Sequence, residues 1–533
     1  MTPGIESPAG SLANAERAHD SPFPWLRRAK HAAWILPGLL AAILSLHHLG
    51  EYRPLTSHEV LVAQTAKEMW QSGNWVEPTC FGEPRHKKPP LAYWITAGSY
   101  WLWNGPSEWA ARFPAALAGI VLVIGVARWT TKHFDEHLGL AAGFCQATSV
   151  YFLTQSRLAE ADMLLALSVS LAMFTYGDIA ANVETGFGRR IRGTVYSFWF
   201  WLAIAVLAKG PVAILIVFSA IAGHVFAMRR IRPVRLLLTL GSMAWFLGLT
   251  LAWPIAVLLS NPSIFNVWRQ ETWQRFFRDP NDVVRYPFYY PLAALWMTLP
   301  WTPLWLARII GMAMGKRMDN EVAKPAARNR DHDSIEWLLA CWLIVPMTLL
   351  SLSAGKQEHY LIPALTPCAI LASQCLDRLR RQPSPDKWAS WIARPIRRRG
   401  LAVASLLVLG ILIVQQWVLP VFHGRRAAAD WLTLSSRALV QGETLLGVGH
   451  NIHWLGYYAK QRFIRLDSLE ELFAEHSSRR GWILATVRER PAIATRLHIL
   501  ESVEAPAGYF DDRKRLPVLL RVEPRMSNNV SAN

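Results

Sequence analysis

Two adjoining stretches decide the fold: Ala33–His48, "AWILPGLLAAILSLHH", and Thr56–Trp75, "TSHEVLVAQTAKEMWQSGNW". The first is apolar almost throughout and has no small-residue cleavage site. It follows a polar leader, residues 1–32, of a composition that predicts a disordered cytoplasmic segment, so it reads as an uncleaved membrane anchor and not a signal peptide. The second opens with Thr56 and Glu59 at capping-box spacing and closes on Gly73, a suitable helix stop. Between them Val60, Ala63, Ala66, Lys67 and Trp70 recur at helical spacing, which predicts an interfacial helix from about 57 to 72. The cap accounts for Glu59. It does not account for His58, placed beside it just outside a membrane segment.

The apolar pattern of the first stretch returns along the chain. Of 533 residues 52% are hydrophobic and only 18% are charged, where a soluble protein carries about a quarter. Apolar runs fall near residues 33–49, 109–127, 138–154, 162–181, 195–208, 210–228, 236–260, 287–313, 335–354, 359–376 and 400–421. At about 20 helical residues per crossing these give about eleven to thirteen spans. The predicted fold class is a mainly α, polytopic membrane protein, with residues 33–422 as its transmembrane domain. The formal charge of +18 gathers in the leader (Arg27, Arg28, Lys30), Gly188–Arg192, Arg229–Arg235, Gly315–Arg330 and Asp377–Arg399. All five clusters fall on one side if the amino terminus is cytoplasmic, as the positive-inside bias requires. The excess charge is a topology signal, and nucleic acid drops out as a partner. Five cysteines in or beside apolar runs and in one loop make no disulfide framework.

The opposite loops differ in chemistry. They hold "TSHE" (Thr56–Glu59), "PRHKKPPLAYW" (Pro84–Trp94), "SRLAEAD" (Ser156–Asp162), "AKGP" (Ala208–Pro211), "RQETWQRFFRDPNDVVRYP" (Arg269–Pro287) and "GKQEHYLIP" (Gly355–Pro363). Each mixes ionisable groups into span ends. Any one lysine there reads as interfacial snorkelling; six such loops on one face read as a functional site. The first external loop, residues 50–108, is predicted to carry a second interfacial helix with Tyr93, Trp94, Tyr100, Trp101 and Trp103 at headgroup level. Beyond it, residues 423–525 alternate helical patterns with the strand-like runs "ETLLGVG", "RFIRL", "GWILATV" and "PVLLRVE". They predict a small extracytoplasmic α/β domain, followed by a disordered tail, residues 526–533.

The ordered set "KEMWQSGNWVEPTCFGEP", "KKPPLAYW", "EWAARFPAAL", "SRLAEADMLLAL", "AKGPVAIL", "LAWPIAV", "ETWQRFF", "LPWTPLW" and "GKQEHYLIPALTP" resembles GT-C type polyprenyl-phosphate-dependent glycosyltransferases. The likeness is to the branch of the lipid A aminoarabinose transferases and protein O-mannosyltransferases. It implies transfer of a sugar from a polyprenyl-phosphate donor to a lipid, glycan or protein acceptor outside the cytoplasm, in the plasma or inner membrane. It also implies residue roles. His58 stands where the family's first acid is an aspartate thought to act as base, and Glu59 matches the second acid. Lys88 and Arg275 match cations that grip the donor phosphate, Asp162 an acid after the third span, Tyr360 the tyrosine of "YLIP", and Lys209 and Lys356 basic positions. Lys87 and Thr272 occupy the positions of the family's metal ligands, so no metal or other cofactor is expected.

Transfer requires fixed cations for the departing phosphate, a role suited to Lys88 and Arg275. It also requires a group that takes the acceptor's proton. A neutral histidine at position 58 can do this, and Glu59 or Asp162 can orient or replace it. The alternative is a catalytically degenerate relative that binds a lipid-linked sugar without transferring it. A secondary transporter explains the spans but not the one-sided motifs, and no inverted repeat is visible.

Overall fold

The structure of the protein, a computed structural model, describes residues 32–51, 53–182, 189–269, 286–314, 330–381, 406–414, 429–433, 444–448, 453–459, 462–466, 468–475, 481–505 and 516–524. Among these, five helices are long and apolar enough to cross a membrane: Glu108–His133, Asp162–Ala181, Ile191–Lys209, Leu240–Ser260 and Asp333–Leu352. Ala33–Leu46 and Val212–Met228 are shorter apolar helices. This is a multi-pass membrane protein.

Three expected spans are not single helices. The run 138–154 divides into Glu136–Thr148 and Val150–Gln155 at Ser149, whose ψ of 144° is extended. The run 287–313 divides into Tyr289–Met297 and Thr302–Ala313, the latter with Pro303 in its first turn. The run 359–376 opens with two 3-10 turns, Glu358–Tyr360 and Ile362–Ala364, before the helix Thr366–Arg381. Pro363 lacks the N–H that a helix interior needs, which delays the helix. Mean hydropathy cannot register such breaks, because an interrupted helix keeps its apolar composition. Of the run 400–421 only 406–414 lies within the described residues, and it is helical.

The bundle sets the site through antiparallel neighbours. Asp162 begins one helix and Lys209 ends the next, and their side chains meet in an ion pair. Val212 starts the following helix just beyond the Gly210 turn, so three helix ends converge at one end of the bundle. At the far end Lys132 and His133 pair with Asp178. Between the ends lies an apolar core in which Leu122, Met163, Phe198, Ile216 and Trp342 are fully or almost fully buried.

The first loop folds as its caps dictate. The interfacial helix spans Ser57–Ser72, with a complete capping box between Thr56 and Glu59 and a stop at Gly73. Gly73 has φ +70°, and its N–H donates to the Met69 carbonyl at 2.9 Å. A side chain there costs about 1–2 kcal/mol of left-handed strain although nothing crowds the position. Gly73→Ala is therefore expected to lower the thermal midpoint of detergent-solubilised protein without changing ligand binding. Two short strands, Thr79–Cys80 (β1) and Glu83–Pro84 (β2), pair antiparallel and lead to the helix Leu91–Leu102. That second helix corrects one expectation. Trp101 and Trp103 are exposed, but Tyr93 and Tyr100 are buried, and the Tyr100 hydroxyl donates to the Ala63 carbonyl at 3.1 Å. Helical spacing puts positions 93 and 100 on the face turned to the first helix.

The carboxy-terminal unit is an α/β fold. Strands β3 (Thr444–Val448), β4 (Arg462–Leu466), β5 (Gly481–Thr486), β6 (Leu497–Glu504) and β7 (Pro517–Pro524) lie in the order β4-β3-β5-β7-β6. β3 pairs parallel with β4 and β5, while β7 pairs antiparallel with β5 and β6. Strand alternation sends Leu446, Ile483 and Leu520 to one face, against Leu472 and Ile493 of the unit's own helices. It sends Leu445, Leu484 and Leu519 to the other, into one core with Leu55, Val60, Ala63 and Tyr100 of the first loop. Loop and carboxy-terminal domain share a hydrophobic core. β6 escaped the sequence pattern because it is an edge strand with most positions partly or fully exposed.

Candidate active site

The stretch from Leu49 to Glu59 is held from beneath by one arginine. Arg112 projects from the first turns of Glu108–His133 and is buried with Glu59, each 2% exposed or less. Its Nε donates to Glu59 Oε1 at 2.7 Å and its Nη2 to Oε2 at 3.3 Å. The same guanidinium donates to the carbonyls of Leu49, Arg53 and Pro54, each at 3.1 Å. Glu59 also accepts the Thr56 N–H at 2.8 Å and the Ala159 N–H at 3.0 Å, and Arg53 stands 3.5 Å away. Burial alone would raise this carboxyl. The charges of Arg112 and Arg53 and the hydrogen bonds overcome it and hold the group down at about 2. Both oxygens of Glu59 are occupied by donors. His58, one residue earlier, is exposed.

Opposite this stretch the convergent helix ends carry a second set of charges. Asp162 is paired with Lys209, whose ammonium also lies 5.2 Å from the centre of the Tyr360 ring. Glu160 hydrogen-bonds Asp162, and burial together with the Asp162 charge pushes its carboxyl well above the usual carboxylate range. The raised carboxyl favours a proton on Glu160, which then donates to Asp162. His359 sits within electrostatic reach of Lys209, Asp162, Lys88 and His58, which ties the two sets together.

A cavity of about 720 Å³ opens beside them. Lys87, Lys88, Lys209 and Tyr360 line its polar end; Val206, Leu215, Phe246, Leu251, Trp253 and Leu350 are among the apolar residues of the remainder. Its walls come from the helices ending at Lys209, starting at Val212 and spanning Leu240–Ser260. Two tryptophans, Trp253 and Trp268, fasten the first loop to this wall, and Trp94 braces the loop internally. Trp94 donates to the Trp75 carbonyl, Trp253 to that of Val76 and Trp268 to that of His86, at 2.7, 2.9 and 2.7 Å. The Trp268 contact fixes the backbone immediately before Lys87 and Lys88.

Of the residues expected from the sequence, the structure brings Lys88, Lys209 and Tyr360 onto the cavity, with Asp162 paired behind Lys209; His58 is exposed, outside the cavity lining and within electrostatic reach of His359. Lys356 is not among the lining residues. It is buried, and its ammonium donates to the Ser353 carbonyl at 2.6 Å, capping the end of Arg330–Leu352. Arg275 and Thr272 lie outside the described residues. Lys87, an ammonium, offers a metal no lone pair, so no chemical step is assigned to a metal here. Sequence reasoning missed Arg112, Glu160 and His359. A lone arginine in "EWAARFPAAL" was the signal for the first; the other two stood unremarked inside quoted motifs.

Comparison with known proteins sharpens this geometry. Residues 87–258 match the family model described as dolichyl-phosphate-mannose-protein mannosyltransferase. An undecaprenyl phosphate-alpha-4-amino-4-deoxy-L-arabinose arabinosyl transferase of Enterobacter sp. (strain 638) is 25% identical over 401 residues, 74% of this chain and 66% of the relative. A second such transferase, from Sodalis glossinidius, is 28% identical over 348 residues, 63% of this chain and 59% of the relative. The chain thus matches less than two thirds of the length of either relative. The crystal structure of ArnT from Cupriavidus metallidurans bound to undecaprenyl phosphate superimposes with a TM-score of 0.74 at 19% identity, covering 92% of this chain and 98% of that one. The chain shares the fold of that transferase and resembles the aminoarabinose transferase and protein O-mannosyltransferase branch of the GT-C glycosyltransferases. The archaeal oligosaccharyltransferase AglB from Archaeoglobus fulgidus shares the fold more distantly, with a TM-score of 0.55 at 13% identity over 88% of this chain. The cavity lies within the segment matched by the family model along most of its wall, from Lys87 to Pro254.

Proposed function

We propose that this chain is a membrane glycosyltransferase that moves a sugar from a polyprenyl-phosphate donor to an acceptor outside the cytoplasm. The observation that carries the reading is the cavity: cationic at Lys87, Lys88 and Lys209, apolar along Val206, Leu215, Phe246, Leu251 and Trp253. A phosphate on a long isoprenoid has that polarity. Lys88 and Lys209 hold the phosphate in a site with little water, where fixed cations act most strongly on developing negative charge. The prenyl chain occupies the apolar wall. In the transfer the bond between the anomeric carbon and the phosphate oxygen breaks, and the acceptor oxygen bonds to that carbon. Polyprenyl phosphate leaves, and the acceptor's proton passes to His58.

The carboxylates divide differently. Glu59 organises the loop, since both its oxygens already accept hydrogen bonds. Asp162 balances Lys209 and receives a hydrogen bond from Glu160. The resemblance adds Arg275 as a further phosphate ligand. In keeping with the basic clusters, the amino terminus lies in the cytoplasm of an inner or plasma membrane, the spans number about eleven to thirteen, and the carboxy-terminal domain is extracytoplasmic.

The donor site is tested by binding of undecaprenyl phosphate to purified protein. Removing a charge-assisted contact costs roughly 1.5–3 kcal/mol, so Lys88→Ala and Lys209→Met should each weaken binding about ten- to a hundredfold. Wild-type affinity in both variants overturns the donor site.

A further inference from the structure

The 3-10 segment His453–Tyr458 between β3 and β4 turns Trp454, Leu455 and Tyr457 into the core shared with the first loop. Tyr458 packs edge-on against Tyr457, with ring centres 5.4 Å apart. Its hydroxyl reaches two groups of the loop. It accepts the N–H of Leu55 at 2.8 Å and donates to Glu108 Oε1 at 2.5 Å. Glu108 is the first residue of the helix that carries Arg112 one turn later. Arg112 serves the carbonyls on either side of this bend, but a guanidinium only donates. The buried Leu55 N–H needs an acceptor, and Tyr458 supplies one from another domain. Two further contacts hold the segment in place: the hydroxyls of Tyr100 and Tyr457 lie 3.4 Å apart, and the Lys67 ammonium stands 5.3 Å from the centre of the Tyr457 ring.

We infer that Tyr458 is a positioning residue: the carboxy-terminal domain pins Leu55 and thereby fixes the Thr56–Glu59 turn that carries His58. Arg112 holds the carbonyl side of the segment, Tyr458 its N–H side, and Glu108 ties the two holders together. The domain is then part of the catalytic machinery's frame and not an appended module. The inference rests on the glycosyltransferase reading for its functional consequence, though not for the contact itself.

Tyr458→Phe keeps the ring and deletes the hydroxyl, and Glu108→Gln keeps an acceptor for it. In Tyr458→Phe, amide hydrogen exchange at Leu55–Glu59 should quicken by about tenfold, the size expected for a lost hydrogen bond. Exchange in the spanning helices and binding of undecaprenyl phosphate should stay as in wild type. Transfer, read as the modified lipid or glycan that the wild-type chain restores to membranes lacking it, should fall by about tenfold. Glu108→Gln, which keeps an acceptor for the Tyr458 hydroxyl but loses the charge, should quicken exchange at 55–59 and lower transfer by less than Tyr458→Phe does. Unchanged exchange at 55–59 overturns the pin. Faster exchange with full transfer overturns the positioning role, and a general rise in exchange with weaker binding reduces Tyr458 to a stability residue. Should the wild-type chain restore no modified species, the glycosyltransferase reading fails, while the exchange measurement still decides the contact.

Discussion

Arg112→Leu is expected to unseat the first external loop, at a cost of about 3–5 kcal/mol. Deleting one member of a buried ion pair leaves the other charge buried without compensation, which costs far more than the pair contributes. Here the abandoned group is Glu59, whose side chain is 0% exposed. Arg53, 26% exposed at 3.5 Å, is a poor substitute, and the carbonyls of Leu49, Arg53 and Pro54 lose their donor at the same time. Arg112→Lys should fall between, because an ammonium cannot reproduce the planar fork that meets Glu59 on one side and three carbonyls on the other. The thermal midpoint and the protease resistance of residues 50–108 provide the measurement. A wild-type midpoint in Arg112→Leu would remove the arginine from the centre of the loop.

The same pair gives the loop an acid limb of definite sign. Glu59 is held at about 2 in the folded chain against an ordinary 4.5. Its stabilisation is therefore complete above about 4.5 and is lost as pH falls toward 2. A shift of this size corresponds to roughly 3 kcal/mol. Glu59→Gln should lower stability at neutral pH and flatten the acid limb.

What the sequence made legible follows from what is local. The capping box, Gly73 and the bounds of the interfacial helix depend on residues a few positions apart, and all were readable from Thr56–Trp75. The β3, β4, β5 and β7 strands declared themselves by apolar runs of strand length. The Glu59–Arg112 pair joins positions 53 residues apart, and the Tyr458–Leu55 contact joins positions 403 apart. Neither leaves a periodicity in the chain. Lys356 shows the converse limit. A lysine at a span end has the same sequence signature whether it faces a phosphate, as Lys209 is placed to do, or closes a helix on its own carbonyl. Composition also could not tell Tyr100, buried against Ala63, from Trp101, exposed one residue later. Only the neighbouring helix distinguishes them.

His58→Gln is expected to reduce transfer by ~10²–10⁴-fold, the usual worth of general-base catalysis, with undecaprenyl phosphate binding retained. The expectation draws on the contrast between adjacent side chains. Glu59 is enclosed, with donors on both oxygens, and accepting a proton would require breaking its contact with Arg112. His58 is exposed on the first helical turn, within electrostatic reach of His359, and glutamine matches it in size. The two substitutions therefore separate by their accompanying effects. Glu59→Gln should lose stability and transfer together, as the loop loosens. His58→Gln should lose transfer alone, with the thermal midpoint and the exchange rates of residues 55–59 unchanged. His58→Asp, which restores the acid that the resembled family carries there, should keep part of the activity and extend it to lower pH, since a carboxylate remains a proton acceptor in acid where an imidazole is already charged. Full transfer in His58→Gln would shift proton acceptance to the other side of the cavity. His359 would then be the candidate, because Asp162 is committed to Lys209 and burial beside Asp162 favours the protonated form of Glu160.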